Sequence, residues 1–331
     1  MSDFPSVKLH VVTGKGGTGK TTVAGALALA LASGGRQVLL TEVEGRQGLA
    51  QMFDTPPLPY EERRVAVAPP GYSGRGGEVY ALAVDPEAAL IEYLEIFYNL
   101  KRAGSALKRL GAIDFATTIA PGLRDVLLTG KVMEAATRER RGGGRLYDAV
   151  VLDAPPTGRI ARFLNVNSEV AGLARMGPVR QQADSVMNLL RSRRTAVHLV
   201  TVLEEMPVQE TVDGVNELHD AELPVGGIVV NMVRDPLLPP ETLNQAVAGR
   251  LDTAELDRGL KAAGIDDSGA LLDGLRSEVT EHAGRVLLEE RERTTLLELS
   301  RPTYELPLLT ETVDLSCLYD LAARLTEQGL V

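Results

Sequence analysis

Gly14-Lys15-Gly16-Gly17-Thr18-Gly19-Lys20-Thr21-Thr22 follows a short apolar run, Leu9-His10-Val11-Val12, and precedes an alanine- and leucine-rich run from Val23 to Leu31. Strand, glycine-rich turn and helix in that order turn the spacing G-x-x-x-x-G-K-[ST] from a string match into a phosphate-binding loop. Glycines at 14, 16, 17 and 19 let the backbone curl so that successive N–H groups face phosphate oxygens. The helix that follows adds its unpaired N–H groups and its positive end. In this reading Lys20 reaches the β- and γ-phosphates of ATP, and the Thr21 hydroxyl ligates Mg²⁺. Thr18 and Thr22 complete the cradle.

Outward from the loop, the chain alternates strands and helices. Gly34-Gly35 closes the first helix, and Arg36 to Thr41 reads as a second strand running into Glu42-Val43-Glu44-Gly45-Arg46-Gln47-Gly48. Carboxylates at a strand end beside a phosphate loop suit a residue that positions the attacking water. Residues 54–78 carry prolines, glycines and both charges and read as a mobile surface loop. Glu78 to Val84 reads as a strand, and Asp85-Pro86 opens a helix as N-cap and first helical residue. From Glu87 to about Arg141 the apolar spacing is helical, with a break at Ala120-Pro121-Gly122.

Tyr147 to Leu152 is an apolar strand that ends in Asp153, a residue placed to hold Mg²⁺ through water. Residues 167–194 again read as helical. The runs 196–203 and 225–230 flank a helix, which makes βαβ units and hence a parallel sheet. Asn231 closes the second of these runs, where adenine would sit. Tyr304-Glu305-Leu306-Pro307 returns to the sheet edge, and Pro307 joins Asn231 on the nucleotide side. The expected fold is α/β, a P-loop NTPase with a mostly parallel central sheet flanked by helices. A single domain spans 1–331, with a helical subdomain from about 86–141 and 166–195.

At 331 residues, 44% hydrophobic and 24% charged, the chain has the composition of a soluble globular protein with ample core. The net charge of −10 argues against nucleic acid as a partner. One cysteine, Cys317, excludes an internal disulfide and a Cys-x-x-Cys metal site. No apolar run reaches membrane-spanning length, and the N-terminus lacks a secretory pattern, so the expected location is cytoplasmic.

Lys15 adds a second cation to a loop that already has Lys20. G-K-G-G-T-G-K-T-T resembles the deviant loop of the dimeric ATPases that include the partition, septum-site, nitrogenase-iron-protein and arsenite-pump families. In these families the lysine after the first glycine crosses to the partner's nucleotide. Further motifs resemble the arsenite-transporting ATPase family, which also contains the ATPase that targets tail-anchored membrane proteins. Asp153-Ala154-Pro155-Pro156-Thr157-Gly158-Arg159 matches its switch II, D-T-A-P-T-G-H, in all but three places. Glu44-Gly45-Arg46-Gln47-Gly48-Leu49, with Phe53, falls on switch I, and Glu204 and Glu210-Thr211 also match. The chain is most similar to the single-domain actinobacterial branch of anion-transporting ATPases.

The resemblance implies a Mg-ATP-dependent dimeric ATPase, a homodimer or a heterodimer with a related subunit. Its nucleotide cycle would open and close a helical layer that holds a hydrophobic protein client or a partner. The alternatives are the ATPase subunit of an arsenite-like anion efflux pump, or a nucleotide switch with little turnover. Three departures matter. Glu44 stands where the family has aspartate, so Glu44 and Glu42 both remain candidates for positioning water. Arg159 replaces a histidine. The family's metalloid-binding cysteine triad and zinc clasp have no counterpart. Only Met133, Met176 and Met187 of seven methionines fall in the helical layer, few for a groove that holds varied apolar helices.

Overall fold

The computed structural model describes residues 2–70, 76–98, 122–140, 142–173, 178–265, 269–309 and 313–331. Residues 99–121 of the expected helical subdomain, with the Ala120-Pro121 break, lie outside the described residues, as does Met176. Eight strands form one sheet in the order β3-β4-β2-β5-β1-β6-β7-β8. They are β1 (Leu9–Gly14), β2 (Gln37–Glu42), β3 (Arg63–Val67), β4 (Glu78–Ala83), β5 (Ala149–Asp153), β6 (Thr195–Thr201), β7 (Val225–Val233) and β8 (Thr303–Pro307). All neighbours pair in parallel except β3 with β4. The mostly parallel sheet flanked by helices is the α/β arrangement the sequence implies.

Side-chain alternation divides the core between the two faces. Val12, Leu40 and Val151 point to the face covered by α1 (Lys20–Ala32) and α11 (Leu315–Glu327). Leu9, Val11, Leu39 and Leu152 point to the other face. That face is covered by α4 (Leu123–Thr137), α5 (Thr157–Leu173), α6 (Pro178–Leu190) and α7 (Glu205–Asp220). Two-sided burial is why these strands read as continuous apolar runs. In α1 every residue from Val23 to Ala32 is buried. Its alanines and Gly25 admit close neighbours, since a Cβ on Gly25 would meet Met52 at 2.5 Å.

The described helices α3 (Pro86–Tyr98) to α6 form a connected layer: α3 packs on α4, and α4 on α5 and α6. Asp85 caps α3 as expected, its carboxylate accepting from the Ala88 N–H at 2.8 Å. Beyond β7 the charged segment divides into α8 (Pro240–Val247), α9 (Thr253–Ala262) and the long α10 (Gly269–Glu298).

Two expectations need correction. Residues 54–78 are not simply a loop, because Arg63–Val67 forms β3, antiparallel to β4 with a register shift between Arg64 and Ala66. Its arginines and bulge, with prolines on either side, are the devices of a protected edge strand, and they hid it. Asn231 does not close its strand, because β7 continues to Val233 and the Asn231 side chain is buried.

Candidate functional site

The phosphate loop leaves β1 at the carboxyl edge of the sheet, where ligands of parallel α/β folds bind. Two glycines there admit no side chain. A Cβ on Gly14 would lie 2.1 Å from the Val200 carbonyl oxygen, and one on Gly19 2.3 Å from Asn231 Nδ2. The loop is thus pressed against β6 and β7. Gly16 and Gly17, in contrast, have open space beside them. Thr18 is buried, its hydroxyl donating to the Lys15 carbonyl at 2.9 Å. Asn231 Nδ2 donates to the Thr18 carbonyl at 2.9 Å. Asn231 therefore braces the loop, while its own carbonyl oxygen has no partner among the described residues. Gly19 gives α1 no side-chain cap, which leaves first-turn N–H groups for an anion.

Lys20 and Lys15 diverge. Lys20 Nζ donates to the Lys15 carbonyl at 3.3 Å, and burial lowers its pKa against the opposing pull of Asp153 and Glu44. The Lys15 ammonium instead pairs with Glu210 of α7 at 2.8 Å, both side chains about one-third exposed. Thr22 follows on the first turn of α1, and Pro307 ends β8 beside Val233 of β7.

The carboxylates gather at the ends of β2 and β5, where Glu42 and Asp153 are register partners. Asp153 Oδ2 accepts from the Thr21 hydroxyl at 2.7 Å, whereas its Oδ1 is buried without a partner. Burial pushes its carboxyl up to about 6, against the Thr21 hydrogen bond and the Lys20 charge. An orphaned carboxylate oxygen beside a threonine hydroxyl is a hard-oxygen donor set that suits Mg²⁺. Together with the glycine cradle, these residues fit a Mg-nucleotide.

Glu42 is almost fully buried, and its Oε2 accepts from the Leu49 N–H at 3.1 Å, capping the short α2 (Gly48–Met52). Glu44 is less buried and touches Arg46 only at 3.9 Å. Glu42 holds α2 through Oε2 while its Oε1 is buried without a partner, and Glu44 is the more exposed carboxylate. Switch II is tied back to β1 by the Thr13 hydroxyl, which donates to the Pro155 carbonyl at 2.7 Å.

Sequence reading missed the link behind switch I. Gln47 sits at φ 55, and its side-chain amide pairs with the Leu58 backbone, accepting from N–H at 2.7 Å and donating to C=O at 3.1 Å. Two residues on, the Tyr60 hydroxyl donates to Glu92 of α3 at 2.5 Å. Glu92 also accepts from Lys131 of α4 at 2.7 Å. Arg138 clamps Glu62 at 2.8 Å and Glu134 at 2.6 Å. Switch I is thus joined through 58–62 to α3 and α4. Only the unusual backbone of Gln47 marks this link, and side-chain type does not reveal it.

Asp153 has a measurable cost. Its folded pKa lies above the unfolded value of 3.8, so the folded chain holds the proton more tightly. The contribution of Asp153 to stability is largest below about pH 4 and is lost as pH rises toward 6. Without Mg²⁺, denaturant titrations should show Asp153→Asn gaining on wild type by up to about 3 kcal/mol between pH 4 and 7. A difference that does not change with pH would contradict this environment for Asp153.

Residues 7–193 match the family described as anion-transporting ATPases. The chain is 52% identical to ATPase BagA of Mycobacterium tuberculosis over 329 residues, covering 99% of this chain and 95% of that one. It is 28% identical to an arsenical pump-driving ATPase of Acidiphilium multivorum, over 96% of this chain and 54% of the relative. It is 27% identical to ATPase GET3 of Kluyveromyces lactis, over 67% and 71% respectively.

Proposed function

The chain belongs to the anion-transporting ATPase family and hydrolyses ATP to ADP and phosphate; we propose that it does so as a two-fold pair whose nucleotide cycle opens and closes helices α3–α6 around a client or partner protein. The observation that carries this reading is the Gln47–Leu58–Tyr60–Glu92–Lys131 link from switch I to those helices. A change at Glu44–Gly48 on hydrolysis would reach α3 and α4 through these hydrogen bonds and the short backbone segment from Leu58 to Tyr60.

Each residue has a task. The loop N–H groups and Lys20 hold the β- and γ-phosphates, and Thr21 and Asp153 hold Mg²⁺, Asp153 through water. Mg²⁺ when bound neutralises charge between those phosphates. Glu44 orients the attacking water, and Thr13 keeps switch II in register with the loop. The free Asn231 carbonyl accepts from the adenine amino group, whereas guanine would present an acceptor to it. Lys15 leaves Glu210 for the partner's phosphates, the partner being a second copy or a related subunit. No helix among the described residues is long and apolar enough to cross a membrane, in keeping with a cytoplasmic protein.

An anion pump subunit that carries a soft metalloid would need thiols in the helical layer. The single cysteine, Cys317, is on α11, across the sheet from α3–α6. That favours a protein client or partner.

The test compares hydrogen exchange in α3–α6 between ADP and a non-hydrolysable ATP analogue. We expect protection there to depend on the nucleotide. Lys20→Ala should abolish that dependence and cut turnover by about 10²–10³-fold, the loss typical of a preorganised charge donor. Helices that exchange identically in both nucleotides would refute the proposal.

A further inference from the structure

Beside the phosphate loop lies a second pocket, of about 160 Å³, between switch I, switch II and the first turn of α4. Three arginines from three separate segments line it, Arg46, Arg124 and Arg159, with Glu44, Asp125 and the Phe163 ring. No residue of Gly14–Thr22 lines it. We propose that this pocket binds a small tetrahedral oxyanion of the inorganic phosphate class, alongside the nucleotide rather than in its place.

Other arginines of this chain are satisfied, as Arg138 is by Glu62 and Glu134 and Arg293 by Glu305 and Glu290. Among the described residues the Arg124 and Arg159 side chains make no hydrogen bond or contact ion pair, and Arg46 has only Glu44 at 3.9 Å. A solvated arginine on its own signals nothing. Three that line one concavity, against two carboxylates, leave an excess of positive charge that an anion would offset.

Charge and shape point the same way. Glu44 and Asp125 offset part of the positive charge, and Arg162 adds to it, since its charge also acts on Asp125. Burial raises the Asp125 carboxyl above its ordinary value, against the opposing pull of Arg159, Arg124 and Arg162. The first turn of α4, a fifteen-residue helix, contributes its positive end. Guanidinium forks match tetrahedral oxyanions in bidentate geometry. The volume is several times the roughly 30 Å³ share of one water and so admits a five-atom oxyanion.

The position suggests a consequence. Glu44 and Pro155 stand at the pocket wall and also belong to the two switches. Phosphate there would come either from hydrolysis at the loop or from solution.

The experiment titrates the ADP-saturated protein with inorganic phosphate, followed by ³¹P line broadening and calorimetry. Wild type should show one saturable site. Arg124→Ala, a change at an exposed side chain, should weaken it roughly 10- to 100-fold, the range for hydrogen bonds to a charged group. Arg124→Lys should fall in between. Lys20→Ala, which cripples the loop, should leave it within about twofold, because the site lacks loop residues. No saturation, a titration unchanged by Arg124→Ala, or one lost in Lys20→Ala would each overturn the proposal.

Rapid-quench hydrolysis set against phosphate release separates the sources. If the phosphate comes from hydrolysis, Arg124→Ala alters the lag between the two events. If it comes from solution, the lag is unchanged and added phosphate slows wild type but not the variant. A variant that differs from wild type in neither respect counts against the site. Failure here leaves ATP hydrolysis untouched, since turnover in wild type is read separately.

Discussion

Lys15→Ala will bind ATP with nearly wild-type affinity and hydrolyse it roughly 10³–10⁵-fold more slowly, the range of a cationic finger supplied in trans. Within its own chain Lys15 holds Glu210 at 2.8 Å, while Lys20 serves the loop. Both members of the Lys15–Glu210 pair are about one-third exposed. Such a pair is worth no more than about 1 kcal/mol, so a phosphate presented across an interface displaces it readily. Two copies facing through their loops make an isologous interface with two nucleotides near its axis. In the proposed pair, Lys15 from each side would offset the repulsion between them. Mixing Lys15→Ala with Asp153→Asn subunits should therefore restore part of the activity, because one site of the mixed pair keeps both its Asp153 and the other subunit's Lys15. Mixtures no more active than either variant alone, or a Lys15→Ala rate within tenfold of wild type, would place the lysine's role elsewhere. If the partner is a related subunit, the rescue needs that subunit's equivalents.

Glu44→Gln should retain ATP binding and lose turnover by about 10²–10⁴-fold, the usual contribution of a positioned acid–base group. Glu42→Gln should change it by less than about tenfold, because an amide oxygen can still accept from the Leu49 N–H. The distinction rests on commitment. Glu42 is buried and caps α2, whereas Glu44 has only a 3.9 Å approach from Arg46. Single-turnover hydrolysis of the two variants decides it, and the reverse pattern would assign the water to Glu42.

The parallel core was legible because its strands are buried on both faces and leave apolar runs, as from Val38 to Leu40 and from Val150 to Leu152. The edge was not. β3 carries two arginines and an irregular register, which are devices against edge pairing and also against recognition. The loop, Thr21 and Asp153 stood out in the sequence because a phosphate-loop pattern fixes residue type at set spacing, and the structure brings Thr21 and Asp153 together at 2.7 Å. Gln47 and Tyr60 were not, since their roles depend on long-range approaches to Leu58 and Glu92 that local pattern does not encode. The same holds for His10 and His198, stacked in the sheet with Nδ1 and Nε2 3.0 Å apart. Burial holds both imidazoles neutral, His198 down at about 4, and no periodic signal announces them.

Coupling between the loop and the helical layer is the centre of the account, and Gln47→Ala addresses it most directly. The substitution removes both hydrogen bonds to the Leu58 backbone and leaves the loop, Asp153 and Glu44 intact. Hydrogen exchange of α3 and α4 is compared in ADP and in a non-hydrolysable ATP analogue, for wild type and variant at saturating nucleotide. Wild type should show nucleotide-dependent protection that disappears in Gln47→Ala while nucleotide affinity is unchanged. The same nucleotide-dependent protection in both proteins would contradict that coupling.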